Sequence, residues 1–542
     1  MKRFPWLTMR KKTAPELPYE PPIWFGNKSN GEYFQAATPR DRAIRKLVLE
    51  KSADNARRIG MDRRQFLASA MGMTTSLWVL NYVQGCSSSS TPSSSGKPLS
   101  GSKEAGAGGM GMGSSQMDAG FCVPEESMFD PQCAAAVVGD GGRNQFIFDV
   151  QTHWFNAVDL ANYPAYTQSF GPLFAIATED NYIKTFFCNS EVSMVALTSW
   201  PGISCTKTRD LGCGYPLSNE HMYMSRDKIN EMSGNSQRVV SHVQIMPQDP
   251  SGIDDQLAIM HEFFCMHGPA AWKLYPGFKP GFKLNDMNGE AVIEQGLKLG
   301  LARFCVHKGL PIGNFFDPKT NYPDDIGPAA AKYPDAKIIV YHSGIFSGSS
   351  SSAGAPPEGA YDPNDPMPKG VNALLRSVMD AGLKPGGNVY GETGTAYSSI
   401  MNDPMQSAHF FGKLLKYLGT DNVVWGTDSL ASNVSPQAQI EAFRALEIPQ
   451  SMMDQYGYPA LGPSTAEGRA NQDKVLGLNA AKIYGIDVEA KRCQVNACQM
   501  AALKKQLDEE LGPRRWVTDQ RDASYDKWLE GCAEMEKTRR PA

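Results

Sequence analysis

Between residues 146 and 426 the chain repeats one pattern: a short apolar run, rich in β-branched and aromatic residues, then a longer amphipathic stretch. The short runs are 146–152, 192–197, 239–245, 271–274, 302–306, 337–341, 388–391 and 422–426. Segments with helical spacing of apolar positions cover 253–266, 289–300, 371–381, 404–418, 436–446 and 471–484. Strands alternating with helices predict a parallel sheet. Eight such repeats predict an α/β chain whose core is a closed (β/α)8 TIM barrel, here over residues 143–486. No Gly-x-Gly-x-x-Gly fingerprint opens a helix after a strand, which argues against a dinucleotide-binding sheet.

Two long insertions interrupt the alternation, 199–237 and 343–368. Both follow strands, on the face where barrels place their sites, so they are candidate lids that shape a substrate pocket, with a plain mobile surface loop as the alternative for 343–368. Residues 487–542 carry many charges and read as a helical C-terminal appendage, with a solvent-facing helix over 500–511.

The N-terminal part follows a different pattern. Residues 1–60 form a basic extension. Arg63-Arg64-Gln65-Phe66-Leu67 then precedes a mildly apolar stretch diluted by Thr74, Thr75, Ser76 and Asn81. That stretch is too short and too polar for a transmembrane helix and fits a leader h-region. It ends Val83-Gln84-Gly85-Cys86. The arginine pair resembles a Tat signal and the Cys86 context resembles a lipobox. Residues 61–86 are therefore expected to be a leader read by the Tat export machinery, with Cys86 lipidated. The protein would then be exported to the periplasm or cell surface and held to the membrane by that lipid. Residues 87–142, rich in Ser, Gly and Ala at their start, are expected to be a flexible tether.

Composition is ordinary for a globular protein, with 41% hydrophobic and 20% charged residues and a formal net charge of -4. That balance points to no nucleic-acid partner. Of the 11 cysteines, Cys122, Cys133, Cys493, Cys498 and Cys532 lie outside the barrel and are disulfide candidates, with pairing left open. No Cys-x-x-Cys pair is present, which argues against a zinc ribbon or thioredoxin-like site.

The chemistry concentrates at strand ends. The first strand runs into Asp149-Val150-Gln151-Thr152-His153. The fifth ends at Val306-His307-Lys308-Gly309, the sixth at Tyr341-His342-Ser343-Gly344 and the eighth at Trp425-Gly426-Thr427-Asp428. A lone histidine is usually structural, but three strand-end histidines and a strand-end aspartate in one barrel suggest a common metal-competent centre. His221, His242, His261, His267 and His409 lack such placement and read as structural or surface residues.

These motifs, with Leu476-Gly477-Leu478-Asn479-Ala480-Ala481-Lys482-Ile483-Tyr484-Gly485, resemble the amidohydrolase superfamily. The nearest branch is the amidohydrolase-related one that includes aminocarboxymuconate-semialdehyde decarboxylase. The resemblance implies one divalent metal, zinc first, with His153, His307 and Asp428 as ligands and His342 as the polarising or proton-transfer residue. Gln151 stands where the family has its first ligand histidine. A glutamine oxygen is a weaker zinc donor than imidazole. Gln151 could ligate weakly, the other groups could hold the metal with water, or the site could work without metal.

The expected activity is hydrolysis of a small ester, lactone or amide by metal-activated water, with Asp428 shuttling the proton. Non-oxidative decarboxylation of a small carboxylic acid at the same site is the alternative, and a non-catalytic ligand-binding barrel is the further one. Lys273, ending the fourth strand, is either an anchor for an anionic substrate or half of an ion pair. Glu392, ending the seventh, is expected to contact substrate or Lys273. Trp154 and Phe155 are placed to wall an apolar pocket or to pack the core.

Overall fold

The computed structural model describes residues 21–25, 37–85, 120–161, 177–202, 215–310, 315–345, 358–430 and 435–492, with 503, 505–507 and 509. Eight parallel strands form the expected barrel. They are β1 (Phe148–Thr152), β2 (Met194–Leu197), β3 (Val239–Ser241 with Val243–Ile245), β4 (Trp272–Leu274), β5 (Arg303–His307), β6 (Lys337–Tyr341), β7 (Val389–Glu392) and β8 (Val423–Val424). β1, β2 and β3 pair in order, and the second half of β3 continues through β4, β5, β6 and β7 to β8. β3 is broken at His242, whose N–H donates to the Leu197 carbonyl on one side while Val243 N–H donates to Ala271 on the other.

The ring closes between β8 and β1. Val150 N–H donates to the Trp425 carbonyl at 3.0 Å and Asp428 N–H to the Gln151 carbonyl at 2.9 Å. His153 N–H then donates to Ser429 and Leu430 N–H to His153. Strand residues are almost wholly buried, as strands covered on both faces require.

The helices begin and end where local chemistry predicts. Met287–Lys298 starts at Asp286, whose carboxylate accepts the Asn288 and Gly289 N–H groups. Ile253–His267 carries Asp254 and Asp255 in its first turn and stops at Gly268 in the left-handed conformation. Among the described residues of the insertion 199–237 lies a helix the pattern did not predict, Asn219–Met232, started by the Ser218 side chain. The expected helix 471–484 is instead Ala466–Asp473, a π turn at Lys474–Leu478 and Asn479–Tyr484.

Helices α1 (Pro39–Ile59), α2 (Arg63–Leu67) and α3 (Ala70–Gly85) pack against the body of the protein rather than standing apart from it. Leu77, Val79 and Leu80 belong to the same apolar cluster as the barrel helices. The polar residues that dilute this stretch are satisfied inside it. The Thr74 hydroxyl donates to the Ser127 carbonyl at 2.7 Å, Asn55 donates to the Thr75 hydroxyl, and Asn81 exchanges two hydrogen bonds with the Phe121 backbone. Asn402, beyond β7, donates to Asp41 of α1 at 3.1 Å. Cys86 lies outside the described residues.

Residues 120–142 of the expected tether are folded. They form a two-stranded ribbon of Gly120–Phe121 with Leu446–Glu447 and the helix α4 (Pro131–Val138). Cys122 and Cys133 are free thiols, so neither forms the disulfide considered for it; Cys493, Cys498 and Cys532 lie outside the described residues, as does most of 500–511. Among the described residues no helix is long and apolar enough to cross a membrane.

Two outcomes follow from this packing. Leu77→Ala should cost about 2–5 kcal/mol in chemical denaturation, the range for a buried leucine; a segment standing apart from the fold would show almost none. His409, buried on the helix Pro404–Tyr417, meets the Tyr458 hydroxyl, and burial with the Lys413 charge holds it down to about 4 from 6.5. Because its folded pKa is depressed, its contribution is complete above pH 6.5 and is lost as pH falls toward 4. Urea midpoints measured across that window should fall with pH, and less steeply in His409→Gln.

Candidate functional site

The C-terminal ends of β1, β6 and β8 bring four side chains into hydrogen-bond reach. His153 Nε2 lies 2.8 Å from Asp428 Oδ1. The Gln151 amide donates to the same oxygen at 2.9 Å and approaches His342 Nε2 at 3.4 Å. The Thr395 hydroxyl donates to Asp428 Oδ2. His307, from β5, stands beside His342, with ring centroids 4.7 Å apart and nearly perpendicular. All of these residues are fully buried.

The ring protons can be assigned from the partners. A backbone carbonyl only accepts, so His153 Nδ1, 2.7 Å from the Thr198 oxygen, carries a proton. His307 Nε2, 3.0 Å from the Leu310 carbonyl, carries one for the same reason. The opposite nitrogens, His153 Nε2 and His307 Nδ1, meet no hydrogen-bond donor, and on the neutral His307 ring Nδ1 is a lone pair. Gln151 Oε1 is a further buried acceptor without a donor. His153 Nε2 and Asp428 Oδ1 face each other at 2.8 Å, a distance that requires a proton or a cation between or beside them.

An imidazole fixed by a carbonyl on one nitrogen and open on the other is the usual arrangement of a metal-binding histidine. The donor set of Gln151, His153, His307 and Asp428 therefore fits a divalent cation in its chemistry. Its spacing is that of a hydrogen-bonded cluster, since among the described residues no three His, Cys, Asp or Glu side chains are grouped closely enough to hold one.

Burial keeps His342 and His307 neutral. His342 is held at about 3, mainly by desolvation, against the pull of the Asp428 charge and with the Lys273 charge acting in the same direction as burial. His307 is held well below its ordinary value by burial and by the His342 and Lys273 charges. The Lys273 Nζ sits 3.4 Å from the centre of the Tyr341 ring, a cation on an aromatic face.

Glu392 is buried, which pushes its carboxyl well above the ordinary range. Its oxygens accept the His342 and Gly394 N–H groups at 2.8 and 2.6 Å. It holds the β6 turn, where His342 and Ser343 adopt φ of 62° and 49°, and the Lys273 charge acts on it. Glycine is required next to it: a Cβ on Gly426 would stand 1.8 Å from Glu392 Oε1, and one on Gly394 2.6 Å from His342 Nδ1. Trp154 turns its indole N–H to the Ser225 hydroxyl at 3.1 Å, a packing contact with the helix Asn219–Met232. Phe155 packs on Trp200. His242 is a core residue, between the Tyr484 and Tyr341 hydroxyls.

Thr198, Thr395, Thr427 and the Leu310 carbonyl were not singled out from sequence. Thr427 precedes Asp428 directly and Asp149 precedes Gln151 by two, so adjacency was the available signal for that pair. Thr198 and Thr395 carry no such mark, because their role depends on which strand ends become neighbours.

Residues 225–486 match the family model described as amidohydrolase. No curated protein matches the chain in sequence. Among solved structures, the chain is similar to 2,6-dihydroxybenzoate decarboxylase complexed with 2,6-dihydroxybenzoate (13% identity, 63% of this chain and 99% of that one, TM-score 0.38). It is also similar to a dihydroxybenzoic acid decarboxylase from Polaromonas sp. JS666 with bound manganese (13%, 63% and 97%, TM-score 0.38). A third is a 4-oxalomesaconate hydratase from Rhodopseudomonas palustris (11%, 67% and 99%, TM-score 0.35).

The facing pair gives a direct measurement. Protein purified without chelator should carry a divalent metal in stoichiometric amount, lost in both His307→Ala and Asp428→Ala. Absence of metal from the unaltered protein would leave a shared proton as what separates His153 from Asp428.

Proposed function

We propose that this amidohydrolase-superfamily barrel acts on a small carboxylic acid, and that the reaction is non-oxidative decarboxylation. The observation that carries this reading is the Lys273 ammonium among neutral histidines. Lys273 is fully buried at the end of β4, with Nζ 3.4 Å from the centre of the Tyr341 ring, and its charge acts on His307, His342 and Glu392. Such a place favours an anion that has left its water behind.

Lys273 would hold the substrate carboxylate, and the neutral imidazoles of His307 and His342 would line its approach without competing for that charge. Loss of carbon dioxide breaks one carbon–carbon bond and leaves its electron pair on the substrate, where an adjoining conjugated group must accept it. The same carbon then takes a proton. Asp428 is the group placed to carry it, because Thr395 fixes one oxygen while the other faces His153. A divalent ion held by Gln151, His153 and His307, with Asp428 beside it, would supply positive charge to anchor oxygen atoms and spread the negative charge of the reaction.

Hydrolysis of a small ester, lactone or amide is the second reading. It is favoured by His153 and Asp428, which are also placed to take a proton from water. The two separate on product: incubation with conjugated carboxylic acids should release carbon dioxide. Its absence, with acid release from lactones instead, would reverse the order. With an active acid in hand, Lys273→Met should raise KM roughly 10- to 100-fold, the loss of one charge-assisted contact. Asp428→Asn should lower kcat by about 100-fold or more. An unchanged KM in the lysine variant would remove Lys273 from substrate binding.

A further inference from the structure

We propose that Asp149 and Thr427 are positioning residues, forming a buried clamp across the β1–β8 seam that holds Asp428 in place against His153. Asp149 Oδ1 accepts the Gln151 N–H at 3.1 Å from its own strand and the Thr427 N–H at 3.0 Å from the opposite one. Its Oδ2 accepts the Thr427 hydroxyl. One carboxylate thus ties the residue before Asp428 to the backbone of Gln151. Both clamp residues are fully buried, so water does not compete for these bonds.

The next residue shows why a clamp is needed. Asp428 has φ of 58°, a left-handed conformation that costs a non-glycine residue energy unless its neighbours hold it. Its N–H donates to the Gln151 carbonyl at 2.9 Å, so the N–H groups of Thr427 and Asp428 are both tied to β1. This backbone turn directs the Asp428 side chain back toward His153 and Gln151 instead of onward along the strand. The clamp bonds run between its two members or to backbone. Asp149 and Thr427 therefore act through Asp428 rather than on a reacting group.

The importance of that placement rests on the reading of Asp428 as the proton-carrying group, but the test reads geometry and needs no substrate. In full-length protein labelled with 15N-histidine, the His153 Nε2 resonance is assigned by its loss in His153→Gln. Thr427→Val, which keeps the shape and removes the hydroxyl, should displace that resonance while leaving those of His409 and His261 where they were. Thr427→Ser should restore it. Should the valine variant fail to fold, Asp149→Asn gives the same reading, since the amide keeps one acceptor for the N–H groups and loses the other. A His153 resonance unmoved in these variants, a uniform displacement of all histidines, or no rescue by serine would overturn the clamp. Failure to release carbon dioxide from any acid would count against the decarboxylase reading alone.

Discussion

Closure of the barrel between its first and last strands is the contact on which the site depends. β8 is only two residues long, and the seam is carried past its end by alternating backbone hydrogen bonds from Val150 to Leu430. Those bonds bring His153, which ends the first repeat, to 2.8 Å from Asp428, which ends the last. No local preference of either segment could bring them together. They meet because a sheet of eight twisted strands returns to its own beginning.

Once the ring is closed, electrostatics follows from burial. The site histidines are removed from water, and desolvation disfavours their charged forms. Each of His153 and His307 spends one nitrogen on a backbone carbonyl, which leaves the other turned away from that carbonyl. The result is an interior rich in polar groups, with Lys273 as a fixed positive charge. Such an interior suits a substrate that brings negative charge, a metal that brings positive charge, or both.

The N-terminal helices show how little composition says about packing. A mildly apolar stretch after an arginine pair has the makeup of a leader, and the same makeup serves a helix buried on a barrel flank. The threonines and asparagine that dilute it are neutral in either role. They find partners in Ser127, Asn55 and Phe121 only after those segments are assembled around α3.

By itself the sequence determined the repeat, the number of strands and the strand ends that carry chemistry. Apolar runs and helical spacing are local properties, and the rule that sites lie at the C-terminal ends of barrel strands converts them into positions for Gln151, His153, His307, His342 and Asp428. Tertiary structure decided the rest. It turned Glu392 inward onto the backbone of His342 and Gly394, and gave Trp154 to Ser225. It also assigned the ring protons of His153 and His307 through the carbonyls of Thr198 and Leu310. Those outcomes depend on which atoms lie within about 3 Å across strands far apart in the chain, where hydrogen bonds are made. Residue order along one strand does not contain that information.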